Sequence, residues 1–253
     1  RIASGGEDVG AVTETECRHR EGYGAEKNAY AVVHKLSFCS NADLQIPNQR
    51  KNGYLYAMKN IVFDLGGVLF ARDKNKSTQE FHEFFSFIRS ERMPLFWEEY
   101  DRGTLTFDEV LDELSRSKGC DRAVAEDYLR EALDRQEAVP QTAALIRDLK
   151  RAGYRLYVLS NMSREFIDFL RRTEIYGCFD GEVVSCEEGV VKPEPRIYEI
   201  LLDRFGLDPA ETLFIDDRRS NLEAAAAFGI ATFHFREPES SCTQLREMLL
   251  QKE

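Results

Sequence analysis

From residue 58 onward the chain switches between two hydrophobic periods. Ile61, Val62 and Phe63 form a short apolar run that stops at Asp64 and breaks at Gly66-Gly67, the pattern of a buried strand entering a turn. From Pro140 such runs recur with helical spacing between them. The spacing predicts a helix over 141–152 closed by Gly153, then a strand over 154–159 that ends in Ser160-Asn161. A helix over 163–172 and a strand over 182–185 follow, then a helix opened by Pro193 and closed by Gly206. The strand over 212–215 ends in Asp216-Asp217; a helix over 220–228 stops at Gly229, and a strand over 231–235 precedes a last helix. Repeated strand–helix units predict a parallel sheet covered on both faces, a doubly wound α/β core.

The stretch between these parts reads as helical throughout. Phe81, Phe84, Phe85 and Ile88 recur at helical spacing before a break at Met93-Pro94. Thr106 and Glu109 form a capping-box pattern ahead of Val110, Leu111 and Leu114, and Asp121 opens a further helix running toward Ala138. These aromatic stripes read first as core. A helical insert after the first strand is expected to lie over the strand ends as a small all-helical cap. The expected organisation is therefore a core of residues 58–71 and 140–253 with a cap over 72–139.

Residues 1–57 differ. They hold seven basic and seven acidic residues, so the other 196 carry the whole formal charge of −11. This stretch lacks clear periodicity apart from AYAVVHKL (29–36), and Met58 is a natural start for the folded unit. It reads as a poorly ordered leader outside the working protein, with a small accessory element as the alternative. Cys17, His19, His34 and Cys39 fit no familiar metal-ligand spacing.

The acidic balance argues against a nucleic-acid surface or an anionic membrane surface. No apolar run reaches the roughly 20 residues of a membrane span. Six cysteines at 17, 39, 120, 178, 186 and 242 show no paired spacing and read as reduced thiols. A cytoplasmic protein, monomeric or weakly dimeric, is expected.

Polar residues at the predicted strand ends carry the candidate chemistry. Asp64 follows the first strand, Ser160 and Asn161 the second; Lys192 precedes a helix and Asp216-Asp217 end a later strand. Open α/β sheets place ligands at such carboxyl ends. A carboxylate can accept a phosphoryl group as nucleophile, and the negative oxygens then need neutralising. A lysine, a hydroxyl and backbone N–H groups supply part of this. Mg²⁺ would supply the rest, held by oxygens of Asp64 and the acidic pair.

FDLGGVLF, LYVLSN, GVVKPEPRIY and FIDDRRSN, in this order, resemble the four motifs of the haloacid dehalogenase (HAD)-like hydrolases. The likeness covers about residues 58–236 and implies that family's Rossmann-like core. It implies Asp64 as nucleophile and metal ligand, Lys192 as charge-steadying partner, and Ser160 and Asn161 with the Gly66-Gly67 turn as substrate-binding. Asp216 and Asp217 would hold Mg²⁺, together with the Gly66 carbonyl. The insert is similar to the family's small helical cap. DLGG and the segment WEEYDRGTLTFDE (97–109) resemble a branch that includes glucose-1-phosphate phosphatases, which implies a small phosphorylated substrate with a sugar phosphate favoured.

One position departs from the pattern. Phosphatases of this family usually carry a second Asp two residues after the nucleophile as general acid and base, and here that residue is Gly66. Asp73 is a candidate replacement, though a solvated loop Asp is the simpler reading. Three functional readings stay open: a Mg²⁺-dependent phosphomonoesterase, a haloacid dehalogenase, and a catalytically dead binding module. The acidic pair favours the first over the second, and Gly66 is what supports the third.

Overall fold

The computed structural model describes residues 43–45, 58–72, 76–89 and 93–250. Its centre is a six-stranded sheet. Strands β1 (Leu44–Gln45), β2 (Asn60–Phe63), β5 (Arg155–Ser160), β6 (Gly181–Val184), β7 (Thr212–Asp216) and β8 (Ala231–His234) lie in the order β1-β8-β7-β2-β5-β6. The last five in that row are mutually parallel, and β1 closes the β8 edge antiparallel.

Alternation along each strand explains why both faces are covered. Ile61 and Phe63 of β2, Leu156 and Val158 of β5, and Leu213 and Ile215 of β7 enter one apolar cluster. Their neighbours Val62, Tyr157, Leu159 and Phe214 enter another on the opposite face. Helices α5 (Pro140–Arg151), α6 (Arg164–Leu170) and α10 (Pro238–Leu250) supply Ile146, Ile167 and Leu245 to the first cluster. Helices α8 (Pro195–Phe205) and α9 (Arg219–Ala227) supply Ile197, Leu201 and Leu222 to the second. Full burial of side chains this size contributes about 1.5–3 kcal/mol each, so period-2 burial on two faces fixes the strand registers.

The cap leaves the core through β3 (Phe70–Ala71) and returns through β4 (Glu137–Ala138), which pair as a short antiparallel ribbon. Between them lie α1 (Gln79–Phe84), a 3₁₀ turn (Ser86–Arg89), α2 (Leu95–Arg102), α3 (Phe107–Lys118) and α4 (Arg122–Asp134). Phe81, Phe85, Trp97, Tyr100, Leu111 and Leu129 form its own core, which Phe166 of α6 enters from below. The capping box at Thr106 and Glu109 is formed in both directions.

Three expectations shift. The helix from Asp121 ends at Asp134 rather than near Ala138, because Glu137–Ala138 is taken by the ribbon. The helix expected from Pro193 starts at Pro195, after a short helix α7 (Ser185–Glu188) that follows β6. Part of the stretch read as a leader also belongs to the sheet: Leu44 pairs with Phe233, the Asp43 carbonyl accepts the His234 N–H at 2.8 Å, and Asp43 pairs with Arg236 at 2.7 Å. A two-residue strand carries no periodic signal, so only its partner reveals it. Cys17, His19, His34, Cys39 and Asp73 lie outside the described residues.

Candidate active site

β2 lies between β5 and β7, where the order of winding reverses, and this is where doubly wound sheets open a crevice. Register places Phe63 beside both Val158 and Ile215. Asp64 therefore leaves the sheet at the same edge as Ser160 and Asp216. Its own N–H is donated to the Ile215 carbonyl at 2.9 Å, which holds the residue in line with the strand.

Lys192 lies at the centre of the site. Its Nζ donates to Asp64 Oδ1 at 2.9 Å, Asp216 Oδ2 at 2.7 Å and the Leu159 carbonyl at 2.8 Å. An ammonium has three protons, and all three are placed. Asn161 fixes the lysine backbone from both sides: its Nδ2 donates to the Lys192 carbonyl at 2.9 Å, and its Oδ1 accepts the Lys192 N–H at 2.7 Å. Ser160 Oγ donates to Asp64 Oδ1 at 3.1 Å from a fully buried position. Asp216 is held by the Arg218 N–H at 2.7 Å and by Asn221 Nδ2 at 3.1 Å to each of its oxygens.

Charge balance follows from this geometry. Burial pushes the Asp64 carboxyl up and the Lys192 ammonium pulls against it, while the Asp216 charge adds to the rise. Burial also disfavours the Lys192 charge, but Asp216 and Asp64 outweigh it and hold the ammonium above its usual range. Asp217 is exposed as a residue, yet its carboxyl turns in toward the other two and is pushed up to about 7, first by desolvation and then by the charges of Asp64 and Asp216.

One oxygen from each of Asp64, Asp216 and Asp217 lies within 4.8 Å of the others. Three carboxylates thus face a single ammonium, an all-oxygen set with the net negative charge that a hard divalent cation requires. The donor set fits Mg²⁺.

Several polar groups around the site are already paired within the protein. Gly67 donates its N–H to the Phe70 carbonyl at 2.9 Å, so that amide is not available to a substrate. Its φ of +78° and the 2.6 Å between a Cβ placed there and Asp217 Oδ2 show what the position requires instead, a residue with no side chain. Asn161 likewise bonds the Lys192 backbone from both ends of its side chain. Glu187 pairs with Arg164 and Arg171, Glu188 with Arg204, and Arg196 lies on the surface beside Glu199. Among the described histidines, His234 lies within 3.1 Å of the Asp217 carbonyl at the end of β8.

Three residues escape the sequence analysis. Asn221 stands five positions after Asp216, in the first turn of α9, and its signal is the final Asn of FIDDRRSN. Arg218 reaches from the site to the cap, donating from Nη2 to the Ile88 carbonyl at 2.7 Å. Asp101, inside the 97–109 stretch, is a buried carboxyl on the cap with no sequence signal beyond its neighbours.

A parallel sheet with an aspartate at its switch point, a buried lysine bridging two carboxylates and a helical insert after the first strand together make a doubly wound α/β fold with its charged residues gathered at the strand ends. The chain matches the haloacid dehalogenase-like hydrolase family model over residues 58–229 and belongs to that family. It is 29% identical to a sesquiterpene phosphatase of Aspergillus oryzae, over 76% of this chain and 96% of that protein. It is 26% identical to a D-ribitol-5-phosphate phosphatase of Bacteroides thetaiotaomicron, over 76% and 97%. Among solved structures it is similar to a HAD family enzyme of Bacteroides thetaiotaomicron in complex with magnesium and inorganic phosphate. That structure has a TM-score of 0.57 and 25% identity, with 71% of this chain and 94% of that one covered.

Proposed function

We propose that the protein is a Mg²⁺-dependent phosphomonoesterase that acts on a small phosphorylated metabolite through an aspartyl-phosphate on Asp64, with a sugar phosphate the favoured substrate. The observation that carries this reading is the Lys192 ammonium bonded to both Asp64 and Asp216, with Asp217 within reach. Asp64, Asp216 and Asp217, with the Gly66 carbonyl, would hold the ion. When bound, Mg²⁺ supplies the positive charge that lets an anionic phosphoryl group approach an anionic carboxylate.

The chain's own residues do the rest. Lys192 favours the ionised form of Asp64 and aligns it, and Ser160 fixes the oxygen that does not attack. Asp64 attacks phosphorus in line, the bond to the substrate oxygen breaks, and the phosphoryl group stays on the carboxylate. Water then hydrolyses the acyl phosphate, releases inorganic phosphate and restores Asp64.

The family also includes dehalogenases, in which a lone carboxylate displaces halide from carbon. Three carboxylates crowded together would repel the carboxylate of a haloacid, which favours phosphate chemistry with a cation present. Gly66 supports a binding module without turnover as the second reading.

The test is phosphate release from a panel of sugar, nucleotide and isoprenyl monophosphates, with and without Mg²⁺. Turnover that needs the metal and disappears in Asp64→Asn is expected. Activity that survives the substitution would remove the aspartyl-phosphate route, and Mg²⁺ binding with no turnover on any member would leave the binding module.

A further inference from the structure

The phosphatase reading leaves the leaving group without a proton donor, because the residue two positions after the nucleophile is Gly66. An alkoxide expelled unprotonated is a poor leaving group, and general acid help is typically worth about 10²–10⁴-fold. The phosphoryl group of a bound substrate points down to Asp64, so its organic part points up to the cap. A donor has to come from that side.

Among the described residues, the buried acidic side chains are Asp64, Asp216 and Asp101. The first two belong to the core site. Asp101 lies near the end of α2, on the cap surface that seats on the core, and three contacts fix its backbone there. Ser185 Oγ donates to the Asp101 carbonyl at 2.5 Å, and Tyr100 Oη donates to Glu165 Oε2 at 2.6 Å. Gly103, two residues on, approaches the core so closely that a Cβ would stand 2.5 Å from the Cys186 carbonyl. The Asp101 side chain then has no ion-pair partner within 4.0 Å among the described residues. Its carboxyl faces the Ser163 N–H and is close enough to feel the charges of Arg218 and Asp64.

We infer that Asp101 is the proton donor to the leaving oxygen, replacing from the cap the carboxyl absent at Gly66. This rests on the phosphatase reading. In the first half-reaction, Asp64 bonds to phosphorus as the bond from phosphorus to the substrate oxygen breaks, and the Asp101 proton passes to that oxygen to give a neutral alcohol. In the second, water attacks phosphorus, the bond to Asp64 breaks, and a water proton returns to Asp101. The donor has to be protonated at the start, and its surroundings supply that. Burial, with help from the Asp64 and Glu98 charges, pushes the carboxyl up to about 7 against the pull of Arg218 and the Ser163 N–H. Tyr100 and Cys186, both kept neutral by burial, are the other titratable groups near enough to feel its charge.

The experiment compares kcat/KM of wild type, Asp101→Asn and Asp101→Glu on two probes. One is p-nitrophenyl phosphate, whose leaving group needs no proton, and the other is the sugar or alkyl monophosphate that wild type cleaves best. Asp101→Asn is expected to lose about 10²-fold or more on the second probe and less than about 10-fold on the first. The wild-type profile on the second probe should fall above about pH 7. That fall should be absent in Asp101→Asn and present in Asp101→Glu. Equal losses on both probes would make Asp101 a structural residue and overturn the inference. So would a wild type that cleaves only the aryl ester. No turnover of either probe by wild type with Mg²⁺ would instead remove the phosphatase reading, and this inference with it.

Discussion

At the scale of single residues, the site is a problem of charge. Lys192 is the one ammonium between two buried carboxylates, so Lys192→Met should do more than slow turnover. Removing one member of a buried ionic group leaves its partners uncompensated and typically costs 3–5 kcal/mol. Urea unfolding should show a loss on the order of 3 kcal/mol, and added Mg²⁺ should restore part of it because the cation takes over the lysine's electrostatic role. A loss of the same size with and without Mg²⁺ would count against a metal at Asp64 and Asp216. Asp101 gives the opposite sign. Its carboxyl is raised from 3.8 to about 7 in the fold, so its ionised form is the one the fold disfavours. Asp101→Asn should leave stability unchanged below about pH 4 and increase it progressively as pH rises to about 7. The plateau gain is on the order of 4 kcal/mol at most, by 1.36 kcal/mol per pKa unit. Melting temperatures across that range check it.

Asp64, Lys192 and the acidic pair are legible in the sequence because each stands at a fixed offset from an apolar strand or a proline-bounded helix start. Asp101 is not, since nothing in WEEYDRG distinguishes an aspartate turned toward a site from one turned toward water. The same limit explains Asn161. Its place at a strand end is readable, but the loss of both its hydrogen-bonding ends to Lys192 depends on a residue 31 positions away.

At the scale of elements, the seam between α2 and α7 decides how the cap sits. Arg102 donates to Glu194 at 2.6 Å and to the Gly189 carbonyl at 3.4 Å, and Gly103 adopts a φ of +81° against the Cys186 backbone. Gly103→Ala meets both costs at once, a left-handed backbone and a contact with a carbonyl that cannot rotate away. A destabilisation of roughly 1–3 kcal/mol is expected. KM for the phosphate ester should rise with it, because the cap is displaced from the site it covers. An unchanged KM at full stability would mean that the seam yields without moving the cap. Arg102 is readable as a charge, and Gly103 as a turn. Their meeting with α7 is a contact between segments more than 80 residues apart, which no local pattern encodes.

At the scale of the whole molecule, two properties follow. On the proposed function Mg²⁺ would bind the folded site and not the unfolded chain, so it should raise the melting temperature as its concentration passes the dissociation constant. Asp216→Asn should flatten that response, and a chelator should reverse it in the wild type. The second concerns the sheet edge. Without β1, β8 would present unpaired N–H and carbonyl groups to solvent. A chain starting at Met58 should therefore associate more than the full chain, and size-exclusion chromatography compares the two directly.

The sequence by itself determined the doubly wound core, the helical insert and the set of polar residues at the strand ends. Each depends on periods of two or 3.6 residues and on turn chemistry, which act over a few neighbours. Tertiary structure alone decided which of those polar residues face one another, which of them hold others in place, and that a cap aspartate is buried. It also decided that Leu44–Gln45, featureless in sequence, completes the sheet. These outcomes depend on burial and on partners distant in the chain, where the stability of a charge or a strand is set by what packs against it.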